Sequence, residues 1–477
     1  MPIQAMDRPM QPTGEGETPR TWTLVRHVLS APIGRAEARP LLTFTLVGLV
    51  FAAAYLAGVL VLPSKSGRII NGDAIQYFAY LQSVVVDGDL DFSNDYQQLY
   101  ADARPETNVW LRTRTATGRL PNMMSVGPAI LWSPCYIAAR AVLGAVGPGP
   151  RTEALLQVSV GVAGIVYGTV GAWFTFWACA LLYPRRAAFW ATLVVWLAGP
   201  AVYYSLVSPT YSHATSMFAV AAFVYTWLKT RDRASLRHAV ILGALGGLVA
   251  LVRWQDGLVL LLPVGDSLMA AARRQTGVAA AAARLGLLGL SAGVVFTPQL
   301  LAWNAIYGTP LVVPQGAGFM KWTEPAILSV LFSLKRGLFS WTPALLPAAI
   351  GLPLVARRDR LAGWLMILVM IIAIYINASV QDWWAGEAFG ARRFIGFGVF
   401  LALGLSAMMS LPLAEKRPVA IAWLSAAAIV YNLLFLFQYQ LFMRGMRELV
   451  PYPETATQIF LDRLRLPVQL LMRWLSG

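Results

Sequence analysis

Residues 41–62 read LLTFTLVGLVFAAAYLAGVLVL, and this run decides the fold class. It contains no charged residue, and about 20 apolar residues are enough for an α-helix to cross the hydrocarbon core of a bilayer. The whole chain is 57% hydrophobic and only 13% charged, and similar uncharged runs recur towards its C-terminus. The sequence therefore predicts an all-α polytopic membrane protein.

The net charge of +15 does not indicate nucleic-acid binding, because the basic residues lie in short clusters between apolar runs. Such clusters are typical of the cytoplasmic loops of membrane proteins. The basic clusters occupy residues 183–186, 229–238, 273–284, 357–360 and 415–417. We therefore expect all five on the cytoplasmic side of the cell inner (plasma) membrane, together with the N-terminus.

The run at 125–146 decides whether that expectation can hold. Pro128 and Pro134 interrupt this run, and a full span here would place the five basic loops outside. We therefore predict a re-entrant or interfacial helix pair. About 11 membrane-crossing helical segments then follow, namely 41–62, 154–182, 187–207, 214–228, a pair of short helices within 238–269 broken at 253–256, 285–301, 340–356, 361–380, 395–413 and 418–443.

The domain prediction follows from this topology. Residues 1–40 form a disordered cytoplasmic tail, and residues 41–443 form the transmembrane domain. Within that domain, 63–153 is a large first extracytoplasmic loop that carries the interfacial or re-entrant helices. The C-terminal tail, 444–477, is extracytoplasmic and contains an interfacial helix.

The first loop contains the acidic stretch NGDAIQYFAYLQSVVVDGDLDFSND at residues 71–95. Apolar residues at helical spacing within 74–86 predict a short amphipathic helix on the membrane surface. The series Asp87, Asp89, Asp91 and Asp95 has the alternate spacing of calcium loops but lacks the Gly and terminal Glu of an EF-hand. We predict a solvated turn there and no metal site.

The predicted outer face collects carboxylates, one histidine, aromatic residues and several cations. They come from the first loop, from SPTYSH at 208–213, from the break at Arg253, from 303–325 and from QDWWAGEAFGARRF at 381–394. Arginine and lysine can bind a phosphorylated lipid, aromatic faces can hold a sugar, and a carboxylate can deprotonate an acceptor hydroxyl. The predicted outer face thus suits chemistry on a lipid-linked sugar.

The order of these features resembles the GT-C class of integral-membrane glycosyltransferases. The resemblance runs from the first apolar span and its loop aspartate through GRLPNMMSVGPAILWSP, YPRR, SLVSP and GALGGLVALVRWQ to GARRF. It is nearest to the protein mannosyltransferase and aminoarabinose transferase type, including an uncharacterised bacterial branch. The resemblance implies a polyprenyl-phosphate sugar donor, inversion at the anomeric carbon and, in some members, a divalent metal.

Position by position, the resemblance implies that Asp73 is the catalytic base and that Arg253 and the pair Arg392 and Arg393 hold the donor phosphate. Family members often carry a second acid just after the outer Ser-Pro, and this chain has His213 in that region instead. We assign His213 to the catalytic set as a hydrogen-bonding partner or base.

Three further residues complete the predicted site. Lys321 is assigned to the donor phosphate, Glu387 to the orientation of an arginine, and Trp384 to a supporting role. The alternatives are structural, since Asp73 can cap the helix that follows it and the arginine pair can anchor lipid head groups.

Together these observations predict an inverting glycosyltransferase on the non-cytoplasmic face, with a lipid, protein or polysaccharide as acceptor. Its other expected contacts are membrane lipids, with no nucleic acid. Two alternatives stay open, namely a transporter or flippase for a lipid-linked or polar solute, and a non-catalytic member of the same fold that only binds a lipid-linked sugar.

Overall fold

The protein is described here by a computed structural model that covers residues 34–61, 69–100, 108–145, 147, 149–233, 235–448 and 450–476. Within these ranges the chain forms helices and loops, and its one β-bridge joins Met320 to Val380. Most of the predicted 1–40 tail lies outside the described residues.

The helices up to the first break are α1 (Pro40–Val61), α2 (Asp73–Gln82), α3 (Ser93–Leu99), α4 (Val109–Arg112), α5 (Gly127–Leu143), α6 (Pro150–Leu182), α7 (Arg185–Leu197), α8 (Ala201–Leu206), α9 (Ser212–Thr230) and α10 (Leu236–Val252). After a 3-10 turn at Trp254–Leu260 follow α11 (Leu261–Ala272), α12 (Val278–Tyr307), α13 (Ile327–Phe332), α14 (Leu338–Trp341), α15 (Leu345–Arg358), α16 (Arg360–Ala378), α17 (Gly398–Met409), α18 (Pro412–Glu415), α19 (Pro418–Met443), α20 (Ala456–Phe460) and α21 (Asp462–Ser476).

Five of these helices are long and apolar enough to cross a membrane, namely α1, α6, α12, α16 and α19. They coincide with predicted spans, and the protein is an integral membrane protein. The shorter helices α10 and α17 are also apolar. The total of 11 crossing segments stays a prediction.

Small residues allow the central helices to approach closely. On α6, a Cβ added at Gly164 would overlap the carbonyl oxygen of Pro209, and one at Gly171 would lie 2.9 Å from the backbone nitrogen of Phe218 on α9. Helices α15 and α17 cross in the same way, because a Cβ at Gly351 or at Gly404 would overlap a backbone carbonyl of the other helix. Helix association within membranes favours such small residues at the crossing points.

The helix pair predicted within 125–146 is wrong, because α5 is one continuous helix that contains Pro134. A proline inside a helix frees the carbonyl four residues earlier, which here belongs to Ile130. The hydroxyl of Ser133 donates to that carbonyl oxygen at 2.8 Å. The lost backbone hydrogen bond is thereby replaced locally, and the helix continues.

The span predicted at 187–207 is interrupted, because the chain leaves α7 at Leu197 and starts α8 only after Gly199 and Pro200. The side-chain amide of Asn432 on α19 donates to the carbonyl oxygens of Leu197 and Gly199, at 2.9 and 3.1 Å. The break is stable because the carbonyls that it frees accept hydrogen bonds from inside the protein. The segments predicted at 340–356 and 395–413 also contain shorter helices than expected.

The predicted surface helix of the first loop is instead covered by protein. All residues at 74–81 of α2 are buried. Aromatic rings from later in the chain pack on this helix, with centroid distances of 6.1 Å for Tyr77 and Trp132 and 5.1 Å for Tyr80 and Phe92. The prediction of an amphipathic helix with one open face is therefore wrong for α2, while its position relative to the membrane stays a prediction.

We predict that Gly404→Ala destabilises the protein by about 1–3 kcal/mol, because overpacking forces the backbones of α15 and α17 apart. The measurement is the midpoint of thermal unfolding in detergent. Gly289→Ala on α12 is the matched control, since its Cβ would meet no atom within 4 Å. Equal midpoints for the two variants would contradict a tight crossing at Gly404.

Candidate functional site

An ion pair joins the first loop to the loop between α16 and α17. The carboxylate of Asp73 lies 2.7 Å from Nη1 of Arg392, and the two side chains are 35% and 12% exposed respectively. Burial alone lowers the pKa of Arg392, but the Asp73 carboxylate more than offsets this effect and raises that pKa above its ordinary value. Asp73 thus reaches the surface while its partner lies inside.

The backbone before Asp73 is shaped by glycine rather than by a side-chain cap. Asp73 is the first residue of α2, and the N-cap position belongs to Gly72, which has φ +57° and no capping side chain. A Cβ at Gly72 would also overlap the hydroxyl of Tyr211. The capping alternative for Asp73 is therefore wrong, and its carboxylate faces Arg392 instead.

Arg253 lies at the predicted break between α10 and the 3-10 turn, and it is 8% exposed. Its Nε lies 3.4 Å from the carboxylate of Asp256, which also accepts a hydrogen bond from Ser216. Its Nη1 donates to Ser212 and faces Nδ1 of His213, each at 3.2 Å. Arginine only donates, so Nδ1 of His213 is the acceptor in this contact.

Aromatic side chains connect the two arginines. Tyr77 of α2 shares a 2.8 Å hydrogen bond with Ser212, and burial raises the pKa of Tyr77, so its hydroxyl stays protonated. The guanidinium of Arg392 lies 5.6 Å from the ring centroid of Tyr211, which stacks with the ring of His213. The structure therefore brings Asp73, Arg392, Arg253 and His213 into one cluster.

The neighbouring Arg393 has a different acidic partner. Its Nη2 lies 2.7 Å from the carboxylate of Asp382, and its Nη1 donates to the backbone oxygen of the same residue at 2.9 Å. The prediction that Glu387 orients an arginine is wrong for Arg393, because Glu387 is exposed and Asp382 makes the ion pair with this arginine. Ala385 and Gly386 have positive φ angles of 61° and 65°, which turn the loop between these two acids.

Lys321 and Trp384 lie apart from the cluster in their contacts. Lys321 is exposed, and its backbone nitrogen donates to Ser379. The ammonium of Lys335 lies over the ring of Trp384, 3.8 Å from the ring centroid. In the described part of the chain, neither side chain makes a hydrogen bond, ion pair or cation–π contact with Asp73 or the three arginines.

The aspartate series after α2 is only partly a solvated turn. Asp87, Asp89 and Asp91 are exposed and accept local hydrogen bonds. Asp95, however, is fully buried, and neither of its carboxylate oxygens has a hydrogen-bond partner. Burial and the charges of Asp87 and Asp89 raise the pKa of Asp95 to about 7. The prediction of a solvated turn is therefore wrong for Asp95.

The groups beside Asp73 do not suit a divalent cation. Two guanidinium groups, from Arg392 and Arg253, flank this region, and cations there repel a metal ion. In the ranges that the structure describes, no group of three or more His, Cys, Asp or Glu side chains could hold a metal. We derive no metal-dependent step.

The sequence reasoning missed Asp256, Asp382, Tyr77 and Ser212 as members of the cluster. Asp256 carried a usable signal, because it follows Arg253 by three residues and a buried arginine needs an acid nearby. The other three carried no such signal, since Asp382 lies in a loop, Ser212 starts a helix and Tyr77 lies in the middle of α2. Only the fold brings them to the arginines.

Comparison with solved structures identifies the fold. The chain is similar to ArnT from Cupriavidus metallidurans bound to undecaprenyl phosphate, with TM-score 0.50 and 15% identity over 91% of this chain and 78% of that one. The predicted GT-C-like fold is confirmed.

Two weaker similarities involve Archaeoglobus fulgidus. The oligosaccharyltransferase AglB in complex with an inhibitory peptide and a dolichol-phosphate matches with TM-score 0.45, 13% identity and coverage of 90% of this chain and 54% of that one. An oligosaccharyltransferase complex with Zn and sulfate matches with TM-score 0.45, 15% identity and coverage of 87% and 58%. No family model and no curated protein sequence matches the chain.

We predict that Asp95→Asn stabilises the protein increasingly as the pH rises from about 4 to about 7. The unfolded carboxyl group loses its proton near pH 4. The folded group keeps its proton to about pH 7, so the wild type loses stability across this window and the variant does not. The measurement is the difference between their thermal unfolding midpoints at each pH.

Glu324→Gln is the control for this experiment, because Glu324 is an exposed loop carboxylate. Its difference from the wild type should not rise across the window. A flat difference for Asp95→Asn would mean that Asp95 is already ionised in the folded protein at acidic pH.

Proposed function

We propose that the protein is an inverting glycosyltransferase that moves a sugar from a polyprenyl-phosphate carrier to an acceptor. The observation that carries this proposal is the ion pair between the half-buried Asp73 and the less exposed Arg392. It places a candidate base and a candidate phosphate ligand side by side. ArnT, whose fold this chain shares, was solved with undecaprenyl phosphate, and this supports the choice of carrier.

In the proposed reaction, the acceptor hydroxyl or amine gives its proton to Asp73 and attacks C1 of the sugar from the face opposite the phosphate. The bond between C1 and the phosphate oxygen breaks, and that oxygen keeps the electron pair. The leaving polyprenyl phosphate therefore gains one negative charge. Arg253 and Arg392 stabilise that charge.

The charges of the cluster favour a coupling between proton transfer to Asp73 and stabilisation of the leaving phosphate. Each of the three arginines has one aspartate partner, namely Asp73 for Arg392, Asp256 for Arg253 and Asp382 for Arg393. The cluster is thus balanced while Asp73 is ionised. Once Asp73 takes the proton, Arg392 lacks its counter-charge at the moment when the phosphate becomes more negative. Proton transfer and leaving-group stabilisation would then support each other.

The remaining predicted site residues keep narrower proposed roles. His213 accepts a hydrogen bond from Arg253 and would hold that guanidinium in place. Arg393 would contribute to the positive field of the site through Arg392. We also propose that the cluster faces the extracytoplasmic side of the inner membrane, because the basic loops lie elsewhere on the protein.

We expect Asp73→Asn to lower sugar transfer by about 10²–10⁴-fold, because the amide cannot take the acceptor proton. The assay incubates membranes containing the protein with a panel of synthetic polyprenyl-phosphate sugars and measures release of polyprenyl phosphate by mass spectrometry. Asp87→Asn is the matched control, since this exposed aspartate lies in the same loop and receives the same change. The control should retain wild-type turnover.

Binding of undecaprenyl phosphate by the purified protein separates catalysis from recognition. Asp73→Asn should keep this binding, whereas Arg392→Gln should weaken it. Normal turnover by Asp73→Asn would remove Asp73 as the base. Binding by the wild type without turnover of any donor would favour the non-catalytic alternative, and movement of a labelled lipid across vesicles would favour the flippase.

A further inference from the structure

A second polar site lies at the opposite end of the bundle from Asp73. Helix α9 begins at Ser212 beside Arg253 and ends at Thr230, and α10 returns from Leu236 to Arg253. The far ends of these two helices open onto a cavity of about 610 Å³. Three of the basic loops, at 229–238, 273–284 and 357–360, contribute to its lining.

The acids on the inner wall of this cavity already have partners within the protein. Arg231 pairs with Asp266 at 2.7 Å and with Asp359 at 2.6 Å. The indole nitrogen of Trp227 donates a further hydrogen bond to Asp266. One arginine and one indole thus hold two carboxylates, and only the exposed Asp232 adds another acid to the lining.

Four more arginines line the same cavity, namely Arg233, Arg273, Arg284 and Arg360. In the described ranges, none of these four side chains has a carboxylate within ion-pair distance or a hydrogen-bond partner. Four guanidinium groups around one cavity repel one another, and a bound anion would relieve this repulsion. With Arg231 included, five arginines line the cavity with three acids, Asp232, Asp266 and Asp359, so the lining keeps an excess of positive charge.

Two further features of the wall favour an anion. Ser235 immediately precedes α10, makes no side-chain cap and lines the cavity, so the positive end of the dipole of this long helix lies beside it. His238, in the first turn of α10, lines the cavity, and its buried Nδ1 has no hydrogen-bond partner. A helix N-terminus with nearby arginines is a favourable place for an anion.

We propose that this cavity binds a phosphate-bearing anion through Arg233, Arg273, Arg284 and Arg360. Guanidinium groups match the geometry of phosphate oxygens and form charge-assisted hydrogen bonds with them. The ligand chemistry is a phosphate mono- or diester, carried by an anionic phospholipid or by a soluble phosphate compound. The site is separate from the Asp73 cluster and does not depend on the proposed sugar transfer.

The experiment measures stabilisation of the full chain by two defined probes. The purified protein is placed in nanodiscs of phosphatidylcholine alone or with phosphatidylglycerol, and separately in phosphatidylcholine nanodiscs with inorganic phosphate. Thermal unfolding midpoints are recorded for the wild type, for Arg273→Gln and for Arg273→Gln/Arg284→Gln. The matched control is Lys416→Gln/Arg417→Gln, which removes two exposed positive charges outside the cavity.

We expect one of the anionic probes to raise the midpoint of the wild type and of the control. Its apparent affinity should fall about tenfold or more in the cavity variants, because charge-assisted hydrogen bonds are lost. A response to phosphatidylglycerol alone identifies a lipid head group, and a response to inorganic phosphate identifies a soluble ligand.

No response of the wild type to either probe would overturn the proposal, and so would equal losses in the control and cavity variants. Arg273 is exposed and unpaired in the described part of the chain, so its single replacement should leave the fold intact. This variant therefore keeps the test decisive even if the double replacement does not fold.

Discussion

The burial of Arg253 constrains the arrangement of the surrounding helices. A guanidinium group among apolar helices is costly unless charge and hydrogen-bond partners surround it. Asp256 supplies the charge, and Ser212 supplies an acceptor from the start of α9. The carbonyl before the arginine, at Val252, accepts a hydrogen bond from Ser125, two residues before α5. The buried cation thus joins the end of α10 to the start of α9, and the adjacent carbonyl joins α10 to the segment that leads into α5.

The two ends of the bundle differ in how they compensate their arginines. At the Asp73 end, each arginine of the cluster has an aspartate from the same protein. At the other end, Arg231 pairs with two acids. Four more arginines line the cavity, and none of them pairs with an acid in the described ranges. The first arrangement suits a charge that appears during a reaction, whereas the second suits a permanently charged ligand.

The sequence predicted the fold class and most of the long helices because uncharged runs of sufficient length are visible without any tertiary information. It also brought together Asp73, Arg253 and Arg392 as candidates, through the order of family-like features.

The sequence-based prediction failed where distant segments decide the outcome. The burial of α2 depends on aromatic rings such as Trp132, and the break after Leu197 depends on an amide from α19. Asp382 could not be preferred over Glu387, because the turn between them decides which acid reaches Arg393.

The ion pair between Asp73 and Arg392 also has a consequence for biogenesis. Its members lie more than 300 positions apart in the chain. Translation at about 5–20 residues per second delays the second member by roughly 15 to 60 s after the first. During that interval α2 and the first loop lack their contact with Arg392. Contacts of such high sequence separation form slowly, so the assembly of this loop belongs to the last stage of membrane insertion.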